Sequence, residues 1–222
     1  MDRLNFKFNG LENISQNFSQ AYQDMFVLSI LNGKKDGFYL EIGAYDAVSL
    51  SNTYLLEKEF GWQGISVDIE ASAKISFDRH NRKGEMIVGD ALNLDYSAIL
   101  KSKGAPEIID YLQLDIEPQA NTLACLKKIP FDQYKFRVIT YETDYYDPAS
   151  SREDSHNIMM ESREILKSNG YELLVGNICN ISTEDPFEDW YVRTDLVDPE
   201  ILSKFKSSDF YNNTSESYMF SL

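Results

Sequence analysis

The chain has 222 residues, of which 21 are Lys or Arg and 36 are Asp or Glu, so its formal net charge at neutral pH is −15. A hydrophobic content of 43% is that of an ordinary globular protein, and this length predicts one large domain that buries its core without disulfide or metal staples. The acidic balance argues against a nucleic-acid partner or an anionic membrane surface, because both are bound through Lys and Arg.

The two cysteines, Cys125 and Cys179, are too few for a disulfide framework and belong to no CxxC pair. They predict buried apolar thiols in a reducing compartment. The opening residues contain no apolar segment of signal-peptide length, and no stretch approaches the roughly 18 apolar residues that cross a bilayer. We therefore expect a cytoplasmic protein with no membrane partner.

The predicted elements begin after a polar, Asn-rich stretch, residues 1–18, which we expect to be a loosely held arm. From Ser19 onward, Tyr22, Phe26 and Ile30 fall four apart, which predicts a helix that ends at Asn32. Strands are then predicted over residues 37–43, 64–69, 85–90, 110–116, 135–142, 171–178 and 189–193. Helices are predicted over residues 51–60, 70–81, 95–103, 119–129 and 152–169.

Strands that alternate with helices of this length are typical of right-handed βαβ units and a mostly parallel sheet. The last two predicted strands have no full helix between them, so one of them is predicted to be antiparallel. The sequence therefore predicts an α/β fold with an open, doubly wound sheet over residues 19–209, followed by a polar tail over residues 210–222.

Carboxylates follow each of the first five predicted strands. In an open α/β sheet, ligands bind beyond the carboxyl ends of the strands. The acids at those ends include Glu41, Asp68, Asp90, Asp115 and Glu142. Because so many acids in one crevice repel one another, the pattern favours a cationic ligand that also offers hydroxyls and an exocyclic amine.

The first strand-to-helix turn argues against a dinucleotide. Such a site needs a GxGxxG turn, in which backbone amides and a helix N-terminus bind the pyrophosphate. Here only Gly43 is present, Tyr45 and Ala47 occupy positions of further glycines, and Asp46 would repel a pyrophosphate. A nicotinamide-dependent enzyme is therefore the weakest of the readings we keep.

S-adenosylmethionine suits the same strand ends better, because it carries a sulfonium cation, a ribose diol and an adenine amine but no phosphate. Asp68, after the second strand, is placed to accept from both ribose hydroxyls. Asp90 can accept from the adenine amine while the Ala91 amide faces a ring nitrogen, although Asp90 could instead cap the next turn. Glu41 and the Gly43 turn would face the methionine part.

Five blocks in the chain resemble the FkbM family of S-adenosylmethionine-dependent O-methyltransferases, in the order in which that family has them. They are SQAYQD (19–24), GFYLEIGAYDAVSLSNTYLLEKEFGWQGISVD (37–68), YLQLDIEP (111–118), ITYETDYY (139–146) and FEDWYV (187–192). The resemblance implies a class I methyltransferase fold, a seven-stranded sheet with a terminal antiparallel strand, and methylation of a hydroxyl on a sugar or other small molecule. The chain departs from the family at Ala47, where glycine is usual, and at Asp68, where glutamate is common.

We expect the cofactor to contact Glu41, Gly43, Ala44, Asp46, Ser51, Asn52, Asp68, Ile69, Asp90, Ala91 and Asp115. A hydroxyl acceptor must lose a proton, and a positioned base contributes about 10²–10⁴-fold in rate. The candidates for that role are Asp115, Glu117 and Glu142. The same acids could hold a divalent metal through oxygen ligands, but no spacing in the chain is specific to a metal, so no metal ligand is assigned.

Several alternatives stay open at this point. The partner is expected to be a small-molecule or carbohydrate acceptor, but a non-catalytic relative that keeps the fold as a binding module is the second reading. Gln20, Gln23 and Asp24 either close over the cofactor or tie the first helix to the sheet. Trp190 is expected in the core, and His156 is expected to be solvated.

Overall fold

The computed structural model describes residues 3–143, 145, 151–179, 186–205, 208–209 and 214–221. Their helices are α1 (Gln23–Ile30), α2 (Tyr54–Phe60), α3 (Ala71–Arg79), α4 (Tyr96–Ser102), α5 (Gln119–Leu126), α6 (Arg152–Ser168), α7 (Pro199–Leu202) and α8 (Ser215–Met219), with short 3₁₀ helices at Leu11–Asn13 and Ala91–Asn93. Their strands are β1 (Phe38–Ile42), β2 (Gln63–Asp68), β3 (Glu85–Val88), β4 (Ile108–Leu114), β5 (Lys135–Glu142), β6 (Glu172–Cys179), β7 (Pro186–Val192) and β8 (Ser208–Asp209).

The strands form one sheet in the order β3-β2-β1-β4-β5-β7-β6-β8. The first five strands of this order are parallel, and β7 runs antiparallel to both of its neighbours, β5 and β6. This confirms the predicted doubly wound α/β sheet with one antiparallel strand among the last two. The order reverses direction at β1, so β1 and β4 diverge into opposite halves of the sheet and leave a crevice at their carboxyl ends.

Alternating side chains of the central strands supply two apolar layers, one on each face of the sheet. The layer that packs against α1 and α2 contains Tyr39, Tyr111 and Val138. The opposite layer contains their neighbours along each strand, Leu40, Leu112 and Ile139. Because both faces are covered by helices, the central strands carry apolar side chains on both faces, as parallel strands usually do.

Trp190 lies in the first layer, as expected, and its ring stacks on Phe26 of α1 at a centroid distance of 4.3 Å. Its indole Nε1 donates a hydrogen bond to the Glu188 carboxylate at 3.0 Å. His156 is exposed on α6, in agreement with the sequence prediction.

The N-terminal segment differs from the loose arm expected. From residue 3 onward it packs on the core, because Leu4, Phe8, Leu11 and Ile14 each bury their side chains. The Asn5 amide donates to the Met219 carbonyl at 2.8 Å, so this segment is also joined to α8 near the C-terminus. Residues 1–2, 210–213 and 222 of the predicted arm and tail, and residues 144 and 146 of the fourth resemblance block, lie outside the described residues.

In the ranges that the structure describes, no helix has both the length and the apolar content to traverse a lipid bilayer.

Candidate functional site

A cavity of about 490 Å³ opens at the carboxyl ends of β1, β2 and β4. This volume lies within the range of small-molecule sites in proteins. Its lining residues are Gln20, Glu41, Gly43, Ala44, Tyr45, Leu50, Asn52, Val67, Asp68, Ile69, Asp90, Ala91, Leu92, Asp115, Ile116, Glu117, Asn121 and Glu142. The cavity therefore sits at the point where the order of the strands reverses.

Most of the residues predicted to contact a cofactor or to act in catalysis are brought together by this cavity. The predicted residues that line it are Glu41, Gly43, Ala44, Asn52, Asp68, Ile69, Asp90, Ala91, Asp115, Glu117 and Glu142. Two predicted contacts, Asp46 and Ser51, are not among the lining residues.

Asp46 and Ser51 instead stabilise the loop that follows β1. The Asp46 carboxylate accepts from the backbone amides of Val48 and Ser49 and from the Ser76 hydroxyl. The Ser51 hydroxyl accepts from the Tyr54 amide at 3.1 Å, which caps the first turn of α2. Neither side chain lines the cavity, because donors of their own loop and of Ser76 and Arg82 occupy them. Their contact with a cofactor stays a prediction.

Gly43 makes the first turn sterically feasible. Its φ angle is +87°, and a Cβ atom placed there would lie 1.6 Å from the Asp115 carbonyl oxygen. Only glycine tolerates both the left-handed backbone and this close approach. The turn therefore holds the end of β1 directly against the end of β4, where Asp115 follows.

Asp68 and Asp90 are both partly used by the backbone around them. Asp68 accepts from the amides of Tyr45 and Glu70, at 2.7 and 2.8 Å. Asp90 accepts from the Leu92 amide at 2.9 Å, so it does cap the 3₁₀ turn. Since an ionised carboxylate offers about four lone-pair positions, each acid keeps acceptor capacity toward the cavity that it lines.

Glu41 is buried at the base of the cavity and is held by hydroxyl groups. The Thr53 and Ser66 hydroxyls donate to its carboxylate at 2.6–3.0 Å. Burial raises the pKa of Glu41 to about 7, although the Arg82 guanidinium favours the charged form. Burial therefore makes Glu41 easier to protonate than an exposed glutamate.

Arg82, which the sequence analysis did not single out, organises the loop beside the cavity. Its guanidinium pairs with the Glu57 carboxylate at 3.0 Å and donates to the Ala47 carbonyl and the Thr53 hydroxyl. The Arg82 side chain thus holds both ends of residues 47–53, the segment that carries Asn52. Because these partners are far apart in sequence, no local pattern indicates the network.

The acids at the ends of β4 and β5 lie side by side. Leu114 pairs with Tyr141 in the parallel register, so Asp115 and Glu142 follow on adjacent strands, and their carboxyl groups share a hydrogen bond. Glu188 of β7 pairs with Glu142 on the other side. Burial raises the pKa of Asp115, the hydrogen bond with Glu142 lowers it, and the charges of Glu117 and Asp68 raise it.

Glu188 is a buried acid that the sequence analysis did not assign. Gln23 and Trp190 both donate to its Oε2 atom, at 2.9 and 3.0 Å. Burial raises its pKa to about 8, despite those donors, and the Asp115 charge contributes to the rise. Gln23 thus joins α1 to the sheet, and Asp24 accepts from the Phe18 and Ser19 amides, whereas Gln20 lines the cavity.

We expect the stability of the protein to fall as the pH rises from about 5 to 8. In this window the unfolded chain has lost the Glu188 proton that the folded chain retains, so folding takes up a proton and becomes less favourable as pH rises. Glu188→Gln keeps a carbonyl acceptor for Gln23 and Trp190 but cannot ionise, so its unfolding free energy should depend less on pH. Urea denaturation at pH 5 and pH 8 measures this difference. Glu172→Gln, which changes an exposed glutamate of β6, is the control, and an unaltered pH slope in Glu188→Gln would contradict the prediction.

The cavity residues that sequence reasoning missed are mainly apolar or amide side chains: Tyr45, Leu50, Val67, Leu92, Ile116 and Asn121. Tyr45 and Leu50 are exposed, at 72% and 52%, and both have a positive φ angle, of 50° and 60°. The sequence alone did not indicate that these side chains line a site, because Tyr and Leu are common residue types with no specific role in binding or catalysis. Only the conformation of the turn places them at the cavity. Asn52 was predicted, and its buried Oδ1 has no hydrogen-bond partner among the described residues.

Within the described part of the chain, no group of three or more His, Cys, Asp or Glu side chains is arranged to hold a metal ion.

The fold is similar to several solved structures of methyltransferases. A candidate rRNA methylase from Clostridium thermocellum superposes with a TM-score of 0.55 at 10% identity, over 81% of this chain and 98% of that chain. A TehB-like SAM-dependent methyltransferase from Corynebacterium glutamicum gives a TM-score of 0.50 at 12% identity, over 82% and 92% of the two chains. Fibrillarin from Aeropyrum pernix, in complex with natively bound S-adenosyl-L-methionine, gives 0.50 at 13% identity, over 77% and 73%.

No protein-family model and no curated protein matches the sequence. At these low identities the structural likeness shows the fold, and it confirms the predicted class I methyltransferase architecture.

Proposed function

We propose that this chain is an S-adenosylmethionine-dependent O-methyltransferase of the FkbM family. Its acceptor is a hydroxyl of a sugar, a polysaccharide precursor or another small molecule. The observation that carries the proposal is the cavity at the strand switch, where Asp68, Asp90 and Asp115 line one site and no described lining residue is a Lys, Arg or His. An anionic site of this kind favours a cation and repels phosphate.

The lining residues fit S-adenosylmethionine by their chemistry. Asp68 would accept from the ribose hydroxyls, and Asp90 together with the Ala91 amide would bind the adenine edge. The Oδ1 of Asn52 has no hydrogen-bond partner in the described part of the chain and is a buried acceptor that a bound ligand can satisfy. Leaving such an atom without a donor costs about 1–3 kcal/mol. Ala47, the departure from the family at the first turn, is fully buried and is not a lining residue.

Two observations support family membership beyond the fold. The five resemblance blocks cover β1 and β2, parts of β4, β5 and β7, and the segment that leads into α1. Gln20 of the first block lines the same cavity as Glu41 and Asp115 of later blocks. The blocks therefore converge on one site although they are dispersed along the chain.

The chemistry divides between the bound donor and the chain. When bound, S-adenosylmethionine supplies a methyl group on a cationic sulfur, which keeps the C–S bonding electrons as the acceptor oxygen takes the methyl group. Asp115 is the residue placed to take the acceptor's hydroxyl proton, with Glu142 beside it. Holding the acceptor in line removes up to about 7–11 kcal/mol of the barrier, and Gln20, Glu117 and Asn121 are the polar lining residues available for that task.

The charge of the site also selects the acceptor. Glu117 and Glu142 lie next to Asp115, and no cationic side chain lines the described cavity. A phosphorylated or carboxylated acceptor would be repelled, whereas an uncharged polyol is accepted through hydrogen bonds. The net charge of −15 likewise disfavours RNA, even though one structural neighbour carries the description of an rRNA methylase.

The test is calorimetry with S-adenosylmethionine, followed by transfer of a labelled methyl group to a panel of sugars and polyols. Asp115→Asn should lower kcat by about 10²–10⁴-fold, while Asp95→Asn, which changes an acid that caps α4, should leave it unchanged. Absence of binding at millimolar S-adenosylmethionine would remove the proposal. Binding without transfer to any acceptor would favour the non-catalytic alternative, and a fluorescence titration with NADH tests the nicotinamide reading.

A further inference from the structure

Two carboxyl groups are held against each other at the centre of the acidic cavity. Asp115 and Glu142 follow the adjacent parallel strands β4 and β5, which are about 4.8 Å apart in any sheet. Both residues line the cavity, and their carboxyl groups are hydrogen-bonded to each other. Asp115 and Glu142 are neighbours because Leu114 and Tyr141, the residues that precede them, are paired in the sheet register.

The charged groups that act on Asp115 from the described part of the chain are acids. Asp68 of β2 and Glu117 of the β4–α5 turn act on Asp115, and Glu188 of β7 pairs with Glu142 across the antiparallel ladder. Glu41 and Asp90 line the same cavity. Arg82, a buried cation, acts on Glu41 and is paired with Glu57.

A hydrogen bond between two carboxyl groups requires a proton, because two ionised carboxylates offer only acceptors. Like charges at this distance also prevent both groups from ionising together. The proton belongs to the pair rather than to either residue. Removal from water raises the pKa of Asp115 and so helps the pair to retain that proton.

We propose that binding of S-adenosylmethionine expels the proton shared by Asp115 and Glu142, so that the pair becomes a stronger base when the methyl donor is in place. The inference rests on the proposed function and deepens it. A cation within about 4–6 Å favours the ionised form of a carboxyl group, and the sulfonium charge is the feature that distinguishes the donor from its product. The expelled proton goes to solvent, and the pair later accepts one proton from the acceptor hydroxyl as the positive charge disappears.

This arrangement has a consequence for the order of events. A pair that already holds one proton is a weaker base toward a hydroxyl than the fully ionised pair, so the free protein holds a weakened base. After transfer, the neutral thioether product no longer offsets the charge of the pair, which keeps the proton it has taken. The protonation state of the pair therefore follows the charge on the bound sulfur.

Calorimetry of the full chain at pH 7, in two buffers of different ionisation enthalpy, counts the protons released on binding. S-adenosylmethionine and S-adenosylhomocysteine are a matched pair of ligands, because they share the adenosine and the amino acid and differ in the methyl group and its positive charge. We expect S-adenosylmethionine to release at least about half a proton more than S-adenosylhomocysteine. Its affinity should also rise with pH, by up to tenfold per unit below the pKa of the pair.

Glu142→Gln removes the shared proton site, so the difference in proton count between the two ligands should disappear. Asp90→Asn is the matched control, because it neutralises an acid of the same cavity outside the pair and should preserve the difference. If Glu142→Gln does not fold, the numbers of protons released by the two ligands on binding to the unaltered chain still test the inference. Equal proton counts for two ligands that both bind would overturn this inference alone, whereas no binding of either ligand would overturn the proposed function with it.

Discussion

Gly43→Ala is expected to destabilise the fold by about 2–5 kcal/mol. The φ angle of +87° costs a residue with a Cβ about 1–2 kcal/mol. The added Cβ would also lie 1.6 Å from the Asp115 carbonyl oxygen and 2.7 Å from its carbon. Backbone must then move, and overpacking of this kind costs about 1–3 kcal/mol more.

Gly104→Ala is the matched control for the Gly43 substitution. Gly104 also has a positive φ angle, of +66°, but nothing lies within 4 Å of its Cβ position. It should therefore show only the backbone cost, about 1–2 kcal/mol. Urea denaturation of both variants separates the two contributions, and an equal loss of stability would mean that the contact between the ends of β1 and β4 is not tight.

The Gly43 substitution also bears on the site. A shift at the end of β4 moves Asp115 relative to Glu142 and widens the cavity that both line. We therefore expect Gly43→Ala to bind S-adenosylmethionine measurably more weakly than the original chain, even under conditions in which the variant remains folded. Retention of full affinity in a folded variant would contradict the assignment of this turn to the methionine part of the ligand.

Asp68→Ala is expected to lower the affinity for S-adenosylmethionine by about 10- to 100-fold. A hydrogen bond to a charged group contributes about 1.5–3 kcal/mol, and 1.4 kcal/mol corresponds to a factor of ten. The fold should survive, because the Tyr45 and Glu70 amides that Asp68 accepts from lie at an exposed turn where water can replace it. Calorimetry measures the affinity, and circular dichroism checks the fold.

Two comparisons sharpen the Asp68 prediction. Asp46→Ala changes an acid of the neighbouring loop that is bonded to Val48, Ser49 and Ser76 and does not line the cavity, so its effect on affinity should be less than about threefold. Adenosine and 2′,3′-dideoxyadenosine should differ in affinity for the original chain but much less for Asp68→Ala. If the two nucleosides lose affinity equally in that variant, Asp68 does not hold the ribose diol.

The β-strands were predictable because their patterns are local. A run rich in β-branched and aromatic residues, such as residues 135–142, predicts a strand, and the structure places β5 over those residues. Boundaries were less predictable where side chains cap the backbone. The helix predicted from Ser19 begins at Gln23, because the Asp24 carboxylate accepts from the Phe18 and Ser19 amides and holds residues 18–22 outside the helix.

The site residues could be predicted from the sequence where their place at a strand end brings them to the cavity. They could not be predicted where hydrogen bonds within a loop decide which way a side chain is held. Asp68, Asp90 and Asp115 follow strands and line the cavity. Asp46 also follows a strand end, but its carboxylate accepts from Val48, Ser49 and Ser76 and does not line the cavity. Whether the backbone amides of a turn can donate to such a carboxylate depends on the conformation of the turn, which short polar side chains themselves help to set.

The sequence by itself determined the alternation of strands and helices and the acidic character of the sheet edge, since both depend on residue type and spacing along the chain. Only the tertiary structure decided which acids meet. The register of β4 against β5 places Asp115 beside Glu142, the antiparallel entry of β7 places Glu188 opposite Glu142, and Arg82 reaches a loop some thirty residues away. Lateral neighbours in a sheet come from segments distant in sequence, and burial of a charge depends on everything packed around it, so neither is encoded in a local pattern.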